Sequence, residues 1–224
     1  FISLGDDEKV TSILAMPKSA KDIVGSLVMV TAKGTAKKVS AKSFTDVRSS
    51  GIIAIRLAPG DRLVSVQTVE KGDDVTIVTQ DGQSIRFKEA GLREMGRSAG
   101  GVRGIKLGAE DMVIGAHTIK TKNSGSPPAG GAHLLVISEH GYGKRTELDE
   151  YKVQGRGGSG ILTSKVTTKT GDVIASQVVT DQEEVVAISK KSQVVRVDLK
   201  EIPVLGRQTQ GVRIMKLREG DSLA

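Results

Sequence analysis

The chain has 224 residues, 38 % of them apolar, with 27 Gly and no Cys. That is the size and composition of an all-β sandwich, barrel or propeller, and it excludes disulfides, as suits a reducing compartment. A net charge of +7 favours polyanionic partners. No run is long and apolar enough to span a membrane, and with neither a signal-peptide pattern nor an initiator Met the chain reads as a piece of a longer one.

In chain order, residues 1–26 read as the back half of a repeating unit, with Leu4 and Asp7 near its close and Val10 to Met16 as its last strand. Four units follow at 27–73, 74–133, 134–183 and 184–224. Each opens on a short apolar run (Leu27–Thr31, Val75–Thr79, Leu134–Ile137, Val185–Ser189) that leads into a two-residue turn centred on Gly34, Gly82, Gly141 or Ser192. Such turns need positive φ, which Gly supplies cheaply. Return strands are expected at Ala36–Ser40, Ser84–Phe87, Gly143–Thr146 and Gln193–Val197. A marker then recurs, Gly followed by a β-branched residue, at Gly51-Ile52, Gly101-Val102, Gly160-Ile161 and Gly211-Val212. The marker predicts further strands over Ile52–Arg56, Val102–Leu107, Ile161–Lys165 and Val212–Leu217. An acidic residue closes each unit (Asp61, Asp111, Asp172, Asp221), and a last strand follows it, as at Leu63–Thr68 and Met112–Thr118. The marker glycines lie 50, 59 and 51 residues apart, the long interval holding an inserted loop from Thr121 to His133. A period near 50 with strand content and almost no helix predicts a propeller, solenoid or related array.

The basic residues repeat with the units. After the turns come Lys37 and Lys38, Arg86, Lys144 and Arg145, and Arg196. Before or at the Gly-rich link come Arg48, Arg93 with Arg97, Arg156 and Arg207; after the marker come Arg56, Arg103, Lys165 and Arg213. In blades related by rotation each set falls on one rim, a belt suited to a phosphate backbone curving around a disc. Aromatic residues are scarce (three Phe, two Tyr, no Trp), so duplex DNA fits better than single strands, which need stacking platforms.

Val153 to Gly160, VQGRGGSG, contains the pattern G-x-G-x-x-G, but β-branched residues follow where a dinucleotide site needs a helix, so it reads as a loop able to approach phosphates, with Arg156 supplying charge. His117, His133 and His140 lack metal-ligand spacing, Tyr142 and Tyr151 read as packing or rim residues, and no catalytic constellation, cofactor site or metal site is expected. A protein-interaction propeller is the alternative class, for which repeat signatures of the Trp-Asp or kelch type would speak.

The strings GIIAI (51–55), MGRSAGGVRGIKL (95–107), YGKRTELDEYKVQGRGGSG (142–160) and VLGRQTQGVRIMKL (204–217) resemble the C-terminal domain of the bacterial DNA gyrase A protein, over essentially the whole chain. The sister protein of topoisomerase IV is the nearest competitor. The resemblance implies a β-pinwheel, a propeller-like disc whose blades exchange strands, and DNA bent around its basic rim so that the holoenzyme introduces negative supercoils. It also implies a monomeric domain in the bacterial cytoplasm, associated with the nucleoid, within an A2B2 complex whose ATP, Mg2+ and nucleophilic tyrosine lie elsewhere. The family's wrapping box, of Gln-Arg-Arg-Gly-Gly-Lys-Gly type, sits in the first blade. Here Gln154 to Gly160 resembles a later, box-like loop, with Gly155 and Ser159 where the box has Arg and Lys.

Overall fold

A computed structural model describes Leu4 and residues 8–16, 25–45, Val47, 51–121, 131–180 and 184–224. Asp7, Arg48 and most of the inserted loop lie outside them. The strands are β1 Ser26–Thr31, β2 Thr35–Ser40, β3 Leu63–Val69, β4 Asp74–Thr79, β5 Gln83–Lys88, β6 Val102–Arg103, β7 Val113–Ile119, β8 His133–Ser138, β9 Tyr142–Glu147, β10 Ile161–Leu162, β11 Val173–Val179, β12 Glu184–Ile188, β13 Val194–Asp198 and β14 Val212–Arg213.

The hairpins β1–β2, β4–β5, β8–β9 and β12–β13 form where the turn residues predict them. Gly34, Gly82 and Gly141 adopt φ near 80°, and Ser192 takes the same left-handed region at φ 62°. The closing carboxylates stabilise these turns: Oδ1 of Asp61, Asp111 and Asp221 accepts the backbone N–H of Lys33, Asp81 and Lys191. Every described return strand ends in a single turn of 3-10 helix, at Ala41–Phe44, Glu89–Gly91, Leu148–Glu150 and Leu199–Glu201. Among the described residues there is no α-helix.

The sheets take their outermost strand from the following unit. Their orders are β3-β1-β2-β6, β7-β4-β5-β10 and β11-β8-β9-β14, with β12-β13 as a two-stranded fourth. Thus β6 of the second unit pairs with β2 of the first, β10 with β5, and β14 with β9. This strand exchange is the β-pinwheel arrangement. The inner strands β3, β7 and β11 pack side by side and form the hub. There Ser65 Oγ donates to Ala116 O at 2.8 Å, and His117 Nε2 meets Ser176 Oγ at 2.9 Å.

The marker strands are shorter than expected. The sequence predicts five or six residues in each, whereas three units form two and the Ile52–Arg56 segment forms none. After two residues of pairing the chain bends over the turn of the preceding hairpin. Gly104 N and Ile105 N donate to Gly34 O, Thr163 N and Ser164 N to Gly82 O, and Ile214 N and Met215 N to Gly141 O. Among the described residues Ile52–Arg56 joins no sheet, and Arg56 N donates instead to Ala99 O. Val10 to Met16, expected as a strand, is also irregular; Leu14 and Met16 pack on the first blade beside Leu27 and Met29.

One slab of core fills each gap between consecutive blades. Val30, Ile77, Ile85, Phe87 and Ile105 lie between the first and second; Leu134, Val136, Leu148 and Tyr151 between the second and third; Leu135, Ile137, Ile202 and Met215 between the third and fourth. Sheets so placed are covered on both faces, which is why β4 is buried at all six residues. In the fourth blade β12 alternates instead, and Val186, Ile188 and Val194 are exposed.

Candidate nucleic-acid interface

The basic residues divide by where the blades join. Lys37 and Lys144, both expected at phosphates, are buried at 0 % and 1 % exposure. A strand covered on both faces gives neither parity of side chain to solvent, so an ammonium there must find carbonyls. Lys37 Nζ donates to Ala54 O at 2.8 Å and to Arg97 O. Lys144 Nζ donates to Gly206 O at 2.7 Å, Arg207 O at 2.6 Å and Thr209 Oγ1 at 3.1 Å. Desolvation lowers both ammonium pKa values, that of Lys144 to about 8. The two residues are thereby removed from the contact surface.

The cations at the next position of the return strands bind the 3-10 turn of the following blade or the residue that ends it. Lys38 Nζ donates to Glu89 O and Oε2, at 3.3 and 2.5 Å. Arg86 holds Asp74 Oδ2 through Nε at 2.8 Å and donates from Nη1 to Leu148 O at 2.8 Å. Arg145 Nε donates to Ile202 O at 2.7 Å. These half-buried cations serve the joints first. Arg196, at the same repeat position in the last blade, is exposed and pairs with Glu184 of its own hairpin.

The Gly-Arg loops sit over the joints. Arg156 is exposed, and its guanidinium reaches back to the preceding unit, Nε to Gly91 O at 2.7 Å and Nη1 to Arg103 O at 3.2 Å. Arg207, half-buried, repeats this with Nη1 on Leu162 O at 3.0 Å. Arg97 holds the corresponding place in the second unit and is half-buried. Arg93, Arg103 and Arg213 are exposed, Arg213 donating from Nη2 to the Tyr142 hydroxyl at 3.0 Å. Tyr151 is buried with its hydroxyl 2.5 Å from Thr163 Oγ1. Among the described residues no group of three His, Asp or Glu is arranged to hold a metal.

One set is more regular than any read from the sequence. The fifth residue after each marker glycine is Arg56, Lys106, Lys165 or Lys216, and all four are exposed. In three of them the backbone N–H is bound to the next unit's Gly-Arg loop: Arg56 to Ala99 O at 3.2 Å, Lys106 to Gly158 O at 2.9 Å, Lys165 to Thr209 O at 3.1 Å. An exposed cation therefore stands beside each of these loops. The spacing from the marker carries the signal, but only Arg56 and Lys165 stand out in the sequence, because Arg103 and Arg213 lie two residues after their own glycines and mask Lys106 and Lys216.

Comparison with known proteins places this arrangement. The family described as "DNA gyrase C-terminal domain, beta-propeller" matches residues 25–70, 73–120, 132–180 and 183–224. The DNA gyrase A protein of Mycolicibacterium smegmatis is 38 % identical over 225 residues, covering all of this chain and 25 % of that protein. Its Salmonella typhimurium counterpart is 36 % identical over 223 residues, covering all of this chain and 24 % of that protein. The chain thus spans about a quarter of the length of these relatives. A solved DNA gyrase A C-terminal domain superposes with a TM-score of 0.82 at 28 % identity, covering 99 % of this chain and 71 % of that one. The C-terminal domain of a DNA topoisomerase IV shares the fold, with a TM-score of 0.80 at 21 % identity over 90 % of this chain and 61 % of that one. With strand exchange at the three joints between the described units and the family model matching residues of all four, the chain belongs to the DNA gyrase C-terminal domain family and has its β-pinwheel fold.

Proposed function

We propose that this chain bends and wraps duplex DNA around its rim as the C-terminal part of a gyrase A protein. The carrying observation is the repeated set of exposed cations at Arg56, Lys106, Lys165 and Lys216, each of the first three tied through its backbone to a Gly-Arg loop. Around them the exposed Arg93, Arg103, Arg156 and Arg213 supply further phosphate contacts, and Arg97 and Arg207 contribute the accessible parts of their guanidinium groups. The repeat units 27–73, 74–133, 134–183 and 184–224 act as successive stations along the duplex.

The energetics are consistent with a multi-site rim. Bending a site of 20–30 bp by 40–90° costs roughly 1–6 kcal/mol, so several phosphate contacts must act together. Neutralising about six phosphates gives a slope of log K against log salt near −5. With no α-helix among the described residues to enter a groove, the contacts are to the backbone and sequence preference is weak. The domain itself contributes binding and no catalysis. In this reading it acts in the bacterial cytoplasm within an A2B2 assembly whose ATP and Mg2+ chemistry is held elsewhere.

The test is topological. Relaxed plasmid is incubated with the chain, treated with a nicking-closing topoisomerase, and its linking number read on a gel. A shift that grows with protein is the expected result and means wrapping with a defined hand. Binding without a shift reduces the role to bending. No binding at low salt overturns the DNA reading and favours a protein-docking role.

A further inference from the structure

We infer that Lys37 and Lys144 are positioning residues: from inside the disc they hold the backbone of the Arg97 and Arg207 loops at the rim. The inference rests on the DNA reading above and goes beyond it, since neither ammonium can touch DNA. Both lysines lie three residues after a turn glycine, on β2 and β9, and both reach forward more than fifty residues to the loop of the next unit. In each case the carbonyl of the loop arginine itself is an acceptor. Lys144 offers three N–H donors, and Gly206 O, Arg207 O and Thr209 Oγ1 take one each. Fixing the backbone of a rim arginine limits where its side chain can go, so less freedom is lost when a phosphate is bound.

The second blade supplies the internal contrast. The same strand position there is Ile85, fully buried, so the Arg156 loop has no ammonium at that place beneath it. Instead the loop holds itself, Gly157 N–H donating to Gly104 O at 2.6 Å. Ala54, whose carbonyl Lys37 binds, occupies the place of Gly104 in its own unit, three residues after the marker glycine. The buried ammonium of the first joint thus binds the carbonyl that a loop amide binds in the second.

Lys144→Met and Arg207→Ala, singly and together, test the assignment in the chain. Each single change is expected to weaken duplex binding about tenfold, the size of one charge-assisted contact, and the double change no further than the weaker single. Amide exchange at Thr209 is expected to quicken in Lys144→Met while that of residues 155–158 stays as it was. Additive losses overturn the inference, because Lys144 would then act other than through Arg207; so does unchanged affinity in Lys144→Met. Thr209→Val, at an exposed residue, removes one of the three partners without emptying the lysine site. It is expected to give a smaller loss in the same direction, and no loss from it overturns the inference even where Lys144→Met fails to fold. If the unsubstituted chain does not bind duplex DNA, the functional reading fails before any substitution is made, and this inference with it.

Discussion

The joint between the second and third blades and the joint between the third and fourth solve one problem with different chemistry. In the former, Ile85 underlies a loop with four glycines, and the loop's own amide reaches the carbonyl below it. In the latter, Lys144 underlies the loop Gly206-Arg207-Gln208-Thr209, and a long buried cation spans the gap. Glycine lets a loop backbone approach closely; a loop with side chains stands off and needs a bridge. Residues that look interchangeable along the repeat therefore follow from the loop each one faces, not from the unit it belongs to.

The largest effect is expected where one segment crosses another. Gly160 and Gly51 occupy the same marker position with φ of 75° and 77°. A Cβ on Gly160 would lie 2.3 Å from Ser84 O, whereas one on Gly51 would meet none of the described residues within 4 Å. Gly160→Ala is expected to cost about 3 kcal/mol or more, backbone strain plus a clash with another strand, and Gly51→Ala only about 1 kcal/mol, the strain alone. Urea unfolding of the two variants measures the difference, and equal losses would mean that the exchanged strand does not clamp the joint.

A pH series separates the joints next. Burial lowers the pKa of Lys144 to about 8, while in the unfolded chain it returns to about 10.5. Between those values the unfolded chain keeps a proton that the folded chain has released, so folding stability rises with pH over that window. The rise should shrink in Lys144→Met, leaving the part that the buried Lys37 supplies, whereas substitution of Ile85, which does not titrate, leaves it in place. A steeper rise in Lys144→Met than in the unsubstituted chain would show the ammonium to be stabilised by its carbonyls more than it is destabilised by burial.

The smallest effect is at the fourth turn. Ser192 stands where the other blades have Gly, with φ 62°. Ser192→Gly is expected to stabilise by about 0.5–1 kcal/mol, relief of the left-handed strain offset in part by a freer unfolded chain. Thermal unfolding checks it, and a loss would mean that the Ser192 side chain has a role in the turn.

Much of the architecture was readable in the residues. The hairpins, their turn glycines, the closing aspartates and the period all depend on neighbours within a few positions, and local chemistry satisfies them locally. The candidate site was readable only in part. Arg103, Arg156 and Arg213 are exposed as expected, but Lys37 and Lys144, indistinguishable from them as letters in a repeat, are among the most buried side chains of the chain. Val102–Leu107 carries the apolar pattern of a strand, yet only Val102 and Arg103 pair, because the rest bends over a turn some seventy residues earlier.

What the sequence by itself determined is the unit: a hairpin with a left-handed turn, repeated with a basic residue at set distances, since turn geometry and alternation act over short range. What only the tertiary structure decided is how the units join. Exchange of the short marker strands joins the blades, the neighbouring blades cover the inner sheets on both faces, and that burial decides which cations meet carbonyls and which meet solvent. An ammonium is costly to bury unless acceptors surround it, and all of those acceptors but Ala54 O belong to a loop more than fifty residues further along the chain.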